Sequence, residues 1–150
     1  MKKIKTQMTE KQFVLRANRF AKKYDVKIAI ENIFNWSGTH AIFGATSTPK
    51  SLLDLIDKID EKNVGACLDI GHAEIMGDLA SAADFIYVLK DKLIATHIHD
   101  NDLINDKHQI PFSNSIDFNP ICKAFKDINY QGELTLEAIY YYKNNPSNGL

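Results

Sequence analysis

Four short apolar runs in this chain each end on a side chain able to bind a metal ion. They are Lys27–Glu31 (KIAIE), Val64–Asp69 leading on to His72 (VGACLDIGH), Leu93–His97 (LIATH, then Ile98, His99 and Asp100) and Glu133–Glu137 (ELTLE). Continuous apolar runs separated by helical stretches have the pattern of strands buried on both faces, which is that of a parallel sheet. In (β/α) folds the chemistry sits beyond the C-terminal strand ends. Carboxylate and imidazole donors gathered there predict a divalent-metal site.

The segments between the runs support this reading. Thr9 and Gln12 have the form of a capping box, and Phe13, Val14, Ala17, Phe20, Ala21 and Tyr24 recur at helical spacing, predicting a helix over about 10–24. Thr48 followed by Pro49 predicts a second helix start, with Leu52, Leu53, Leu55, Ile56 and Ile59 as its apolar stripe and a turn at Asn63. Asp78 is the expected cap of a third helix running to about Asp91, and Asp117–Pro120 start a fourth that ends near Asn129. The breaker-rich NNPSNG beyond Tyr142 predicts a frayed tail.

The predicted order α-β-α-β-α-β-α-β implies right-handed crossovers and an α/β fold: a partial (β/α) barrel of about four parallel strands. The loops after strands are long (Asn32–Thr48 and Asp100–Ser115) and those before strands short, as expected when the C-terminal sheet edge carries the site. Residues 1–150 are expected to form a single domain. Four βα units are half of an eight-stranded barrel, so two sheet edges are expected to lack partners.

Composition narrows the function classes. The net charge is −1, and the only arginines, Arg16 and Arg19, fall on the first predicted helix, which argues against a nucleic-acid surface. No apolar stretch approaches a membrane span, and MKKIKTQMTEKQ lacks the apolar core of a signal peptide, so a soluble cytoplasmic protein without a membrane partner is expected. Cys67 and Cys122 are expected as buried free thiols, and Asn35-Trp36-Ser37 is discounted as a glycosylation acceptor.

Glu31 and Glu137 are each the terminal charged residue of an apolar strand, where an unpaired buried carboxylate would cost several kcal/mol. Asp69 and His72 form Asp-x-x-His, with Gly71 expected to permit a sharp exit that turns His72 toward the site as a ligand or a hydrogen-bonding group. Alternation sends His97 and His99 to one face. Only one need be a ligand, leaving the other to support it or touch substrate. Asp106-Lys107-His108, taken alone, reads as a solvated loop.

The segments IAIEN, TPKSLLDLID, VGACLDIGHAE, HIHDND, DKHQIPF, IDF and GELTLE, in this order, resemble the xylose-isomerase-like TIM-barrel superfamily, which includes sugar-phosphate isomerases and epimerases and endonuclease IV. The resemblance runs from about Val26 to Glu137 and looks like the C-terminal half of such a barrel. It departs from the family in the turn Phe112–Ser115 and in lacking the N-terminal half. It implies Glu31, Asp69, His97 and Glu137 as ligands of one divalent metal ion (Mn²⁺, Mg²⁺, Co²⁺ or Zn²⁺), with Glu31 and Glu137 as the catalytic pair on either side of a cis-enediolate. It implies substrate contacts for His72, His99 and His108, and a match of Asp106 and His108 to an Asp-x-His that holds a further zinc in endonuclease IV. The implied function is metal-dependent isomerisation or epimerisation of a small sugar or sugar phosphate. Two alternatives stand beside it: an inactive fragment or subunit completed by a second copy or a separate N-terminal half-barrel, and an endonuclease IV-like zinc phosphodiesterase.

Overall fold

The computed structural model describes residues 8–144. Its elements are α1 (Glu10–Lys23), β1 (Ile28–Glu31), β2 (Asn35–Ser37), β3 (His40–Ile42), α2 (Pro49–Ile59), β4 (Val64–Asp69), α3 (Ile70–Met76), α4 (Ala82–Leu89), β5 (Leu93–Ile98), α5 (Phe118–Asp127), β6 (Thr135–Leu136) and α6 (Ile139–Asn144). β1, β4, β5 and β6 form one parallel sheet in that order, as expected of half a (β/α) barrel. The breaker-rich tail from residue 145 lies outside the described residues.

The helices begin where local chemistry lets them. Thr9 with Gln12 and Thr48 with Ser51 form capping boxes, Pro49 occupies the first turn of α2, and Asp117 caps α5. Ala66 and Leu68 of β4 turn into a core shared with Leu52, Ile56, Phe85, Ile86, Leu89 and Ile121 from the helices. Each such buried side chain contributes roughly 1.5–3 kcal/mol, so this layer rather than helix propensity holds α2, α4 and α5 in place. Alternation then points Gly65, Cys67 and Asp69 to the opposite face.

Several expectations need correction. The helix expected from Asp78 starts at Ala82 and is capped by Ser81, whose hydroxyl and the Asp84 carboxylate satisfy each other's backbone N–H groups. The stretch from Ile70 is itself a short helix, α3, capped by Asp69. The segment read as loop after β1 carries the antiparallel hairpin β2–β3. β6 is two residues long and pairs with β5, and Glu137 follows it, donating its N–H to the Ile98 carbonyl at 2.9 Å. Cys67 is a buried free thiol, but Cys122 is exposed, lying on α5 opposite the buried Ile121 and Ala124. On α1 only Val14, Asn18 and Ala21 are buried, whereas Phe13, Phe20 and Tyr24 remain 63%, 66% and 67% exposed.

Candidate metal centre

One irregularity of the sheet decides which side chains meet. Ala66 pairs with Leu93 but Cys67 pairs with Ala95, so β5 carries an extra residue at that point. Such a bulge shifts the alternation of the strand beyond it. Asp69 is thereby set beside His97, which itself pairs with Thr135 of β6. The parity left open between His97 and His99 is resolved: His97 stands in the row of strand ends.

His97 Nδ1 lies 3.2 Å from Glu137 Oε2, 3.6 Å from Glu31 Oε2 and 4.0 Å from Asp69 Oδ2. Among the described residues, His97 Nδ1 and Asp69 Oδ2 are buried without a hydrogen-bond partner. Leaving two buried polar atoms unpaired is costly. A gap of 4.0 Å between them is one that two coordination bonds of about 2.0–2.2 Å span. Asp69, His97 and Glu137 each offer a donor within 4.8 Å of the others, and so do Glu31, Asp69 and His72. Three carboxylates and an imidazole suit a hard or borderline divalent cation, so the residues present fit such an ion.

A second cluster adjoins the first. His72, His99, Asp106 and His108 also offer donors within 4.8 Å of one another. Asp106 Oδ2 lies 3.5 Å from His72 Nε2, and Asp106 Oδ1 lies 3.2 Å from His108 Nε2. His108 donates its Nδ1–H to the backbone carbonyl of Glu137 at 3.0 Å, which leaves Nε2 toward Asp106. The segment 106–108, which reads as a solvated loop in the sequence, is therefore folded onto the site. His99 differs from its expected substrate contact. Its ring is 0% exposed, donates Nε2–H to Asp69 Oδ1 at 3.1 Å and stacks on His108 with centroids 4.0 Å apart. Gly71 makes room for it: a Cβ there would lie 1.9 Å from His99 Cε1. The glycine is needed for this close approach inside α3, not for a sharp exit.

Some contributors carry no signal in the sequence. Phe34 is buried and covers His72 edge-on at 5.3 Å, and Trp36 packs on Phe34 at 5.1 Å. Thr46 donates its hydroxyl to the Glu31 carbonyl at 2.8 Å, pinning the end of β1 under the hairpin.

Burial works against a charged His72, but hydrogen bonds to Asp106 and Glu31 and the Asp69 charge outweigh it and push the ring up to about 11. His99 is raised in the same way: Asp69 outweighs its burial. Burial raises the Asp106 carboxyl, yet His72, His108 and His99 hold it below the ordinary carboxylate value. Burial first, then the carboxylates of Glu31, Asp69 and Glu137, push the Cys67 thiol up to about 12, so at neutral pH it fills space beneath the donors as a neutral thiol. Because His72 is raised above its ordinary value of 6.5, protonation favours the fold; that stability is complete below this pH and is lost as pH climbs toward about 11. Urea melts in chelator are expected to show lower stability at about pH 9 than at about pH 6. Equal or higher stability at the alkaline pH would contradict these pairings. Divalent-metal affinity is expected to move the opposite way, because ligand imidazoles must lose their protons.

A parallel sheet that brings carboxylates and imidazoles together at successive strand ends defines the chain as a portion of a (β/α) barrel with a candidate metal centre. Residues 11–149 match the family described as Xylose isomerase-like TIM barrel, and the chain belongs to that family. It is 34% identical over 117 residues to the uncharacterised protein MJ1311 of Methanocaldococcus jannaschii, an overlap of 78% of this chain and 38% of that protein. Its fold superposes on a D-tagatose 3-epimerase-like protein with a TM-score of 0.68 and 28% identity, covering 91% of this chain and 52% of the other. It superposes also on the IolI protein with a bound zinc atom, with a TM-score of 0.67, 22% identity and coverage of 91% and 52%. The chain thus spans about half, or less, of the length of these relatives. No helix among the described residues is long and apolar enough to cross a membrane.

Proposed function

We propose that this chain is a half-barrel of a divalent-metal-dependent sugar or sugar-phosphate isomerase or epimerase. The observation that carries the reading is the convergence of Glu31, Asp69 and Glu137 on His97 Nδ1 within 3.2–4.0 Å, with two buried donor atoms left unpaired. The likeness to an epimerase-like protein at 28% identity supports the same class. Glu31, Asp69, His97 and Glu137 would hold Mn²⁺, Mg²⁺, Co²⁺ or Zn²⁺, and such an ion polarises a substrate carbonyl and its neighbouring hydroxyl.

The proton work falls to Glu31 and Glu137. Glu31 ends β1 and Glu137 directly follows β6, the two outermost strands of the sheet, and their side chains are 34% and 30% exposed, open to a substrate where Asp69 is not. One carboxylate takes the proton from the carbon next to the carbonyl, the C–H electron pair passing into an enediolate. The other, protonated, returns a proton at the opposite face. His72, with little of its side chain exposed, orients a hydroxyl at the edge of the site, and His99 fixes Asp69 from beneath. The outer edges of β1 and β6 and the apolar residues exposed on α1 support completion of the barrel by a second half, from another chain or a second copy of this one.

The reading predicts that the chain loaded with Mn²⁺ or Zn²⁺ incorporates solvent deuterium next to the carbonyl of a ketohexose or its phosphate, followed by proton NMR. Metal binding without any exchange, or no metal binding by a partly unfolded monomer, would favour the inactive-subunit reading and remove the proposed activity of the chain alone. The His72, His99, Asp106 and His108 cluster favours one further reading, an endonuclease IV-like zinc phosphodiesterase. Against it stand a net charge of −1 and two arginines, a poor grip on nucleic-acid phosphates.

A further inference from the structure

Asn32 follows the last paired residue of β1, beyond the Glu31–Cys67 rung, and is 1% exposed. A buried amide is costly unless its groups are satisfied, and the partners of this one are concentrated on the centre. The side chain extends the β1–β4 ladder by one rung: Nδ2 donates to the Asp69 carbonyl at 2.9 Å, and Oδ1 accepts the Asp69 N–H at 2.7 Å. The backbone carbonyl of Asn32 accepts the Nδ1–H of His72 at 3.0 Å.

We propose that Asn32 is the positioning residue of the centre, holding Asp69 so that its Oδ2 is the atom turned toward a cation, and holding the His72 ring beside it with Nε2 toward Asp106. The inference rests on the metal-centre reading above. With the Asp69 backbone clamped on both its polar groups, the carboxylate has little freedom left. Its Oδ1 accepts the His72 N–H at 2.7 Å and the His99 Nε2–H at 3.1 Å, and Oδ2 is the atom that remains unpaired. On His72, engagement of Nδ1 by the Asn32 carbonyl fixes the ring and leaves Nε2 facing Asp106 Oδ2 at 3.5 Å, the usual way in which an outer partner sets the orientation of an imidazole. Asn32 touches neither a cation nor a substrate. It acts through the two residues that it orients.

The test is zinc titration of the 150-residue chain, with the visible absorption of the cobalt-loaded protein as a probe of ligand arrangement. Asn32→Ala removes both amide bonds and is expected to weaken zinc binding by about 10–100-fold and to change the cobalt spectrum. Asn32→Asp keeps an acceptor for the Asp69 N–H, loses the donor to its carbonyl, and is expected to fall between Ala and the parent. A residue that merely stabilises the fold would lower the melting temperature and leave the affinity and spectrum of the folded protein unchanged, and that outcome overturns the proposal. Should Asn32→Ala not fold by circular dichroism, the near-isosteric Asn32→Asp decides by the same two readouts. A parent chain that binds neither ion removes the metal-centre reading itself, whereas a parent that binds and variants that bind identically remove only the role of Asn32.

Discussion

The double substitution Glu31→Gln/Glu137→Gln is expected to abolish divalent-metal binding, weakening the dissociation constant for Mn²⁺ or Zn²⁺ by at least about a hundredfold in a calorimetric titration. Loss of an outer partner alone costs about 10–100-fold, and here two charged donors are removed. The exchange of carboxylate for amide keeps shape and removes charge, leaving Asp69 and His97 as the donors of the first cluster. Both side chains are about one-third exposed, so the fold loses little and the helical circular dichroism is expected to persist. Glu137→Gln alone is expected to eliminate any metal-dependent turnover, because it removes one member of the proton-transfer pair as well as a donor. Metal binding unchanged in the double variant would sink the assignment of the site.

The second large effect concerns stability. Asp100 is buried, and its carboxylate accepts the backbone N–H groups of Asn101 at 2.8 Å, Asn114 at 2.8 Å and Ile116 at 3.1 Å, drawing the two ends of the long loop together. Its own backbone exchanges hydrogen bonds with Gln109 at 2.8 and 2.9 Å, and the neighbouring Asn101 donates its side-chain amide to the Gly71 carbonyl at 3.0 Å. The loop needs such anchors because Leu103, His108 and Phe112 adopt φ of +64°, +42° and +68°. Residues held in that left-handed region cost of order 1–3 kcal/mol each. Asp100→Ala leaves these amides without their acceptor, at about 1–3 kcal/mol for each that stays buried, so a loss of about 3–5 kcal/mol is expected in urea unfolding. Native-state hydrogen exchange is expected to show early loss of protection at Asn114 and Ile116, and Asp106 and His108 to lose their place beside His72. A change below about 1 kcal/mol with wild-type protection would show that the loop is held by other contacts.

Much of the fold is legible in the residues because its signals are local. The apolar runs, the Thr9 and Thr48 caps and Pro49 each act within one element, and the structure places helices and strands there. The misplacements are also local in origin. Asp78 and Ser81 are both competent caps three residues apart, and Ser81 prevails with Asp84 at the reciprocal position. The hairpin β2–β3 follows no clear alternation, since its strands are three residues each and mostly exposed.

By itself the sequence determined the parallel strands and the donor at each strand end, because an apolar run closed by a carboxylate or imidazole is a pattern read along one segment. Only the tertiary structure decided which donors meet. The bulge on β5 set His97 beside Asp69, Asp100 tied down the far end of the loop that carries Asp106 and His108, Gly71 opened the space for His99, and Asn32 clamped Asp69 across 37 residues. Those outcomes depend on strand register and on hydrogen bonds between segments far apart in the chain, and no periodicity within a segment encodes either.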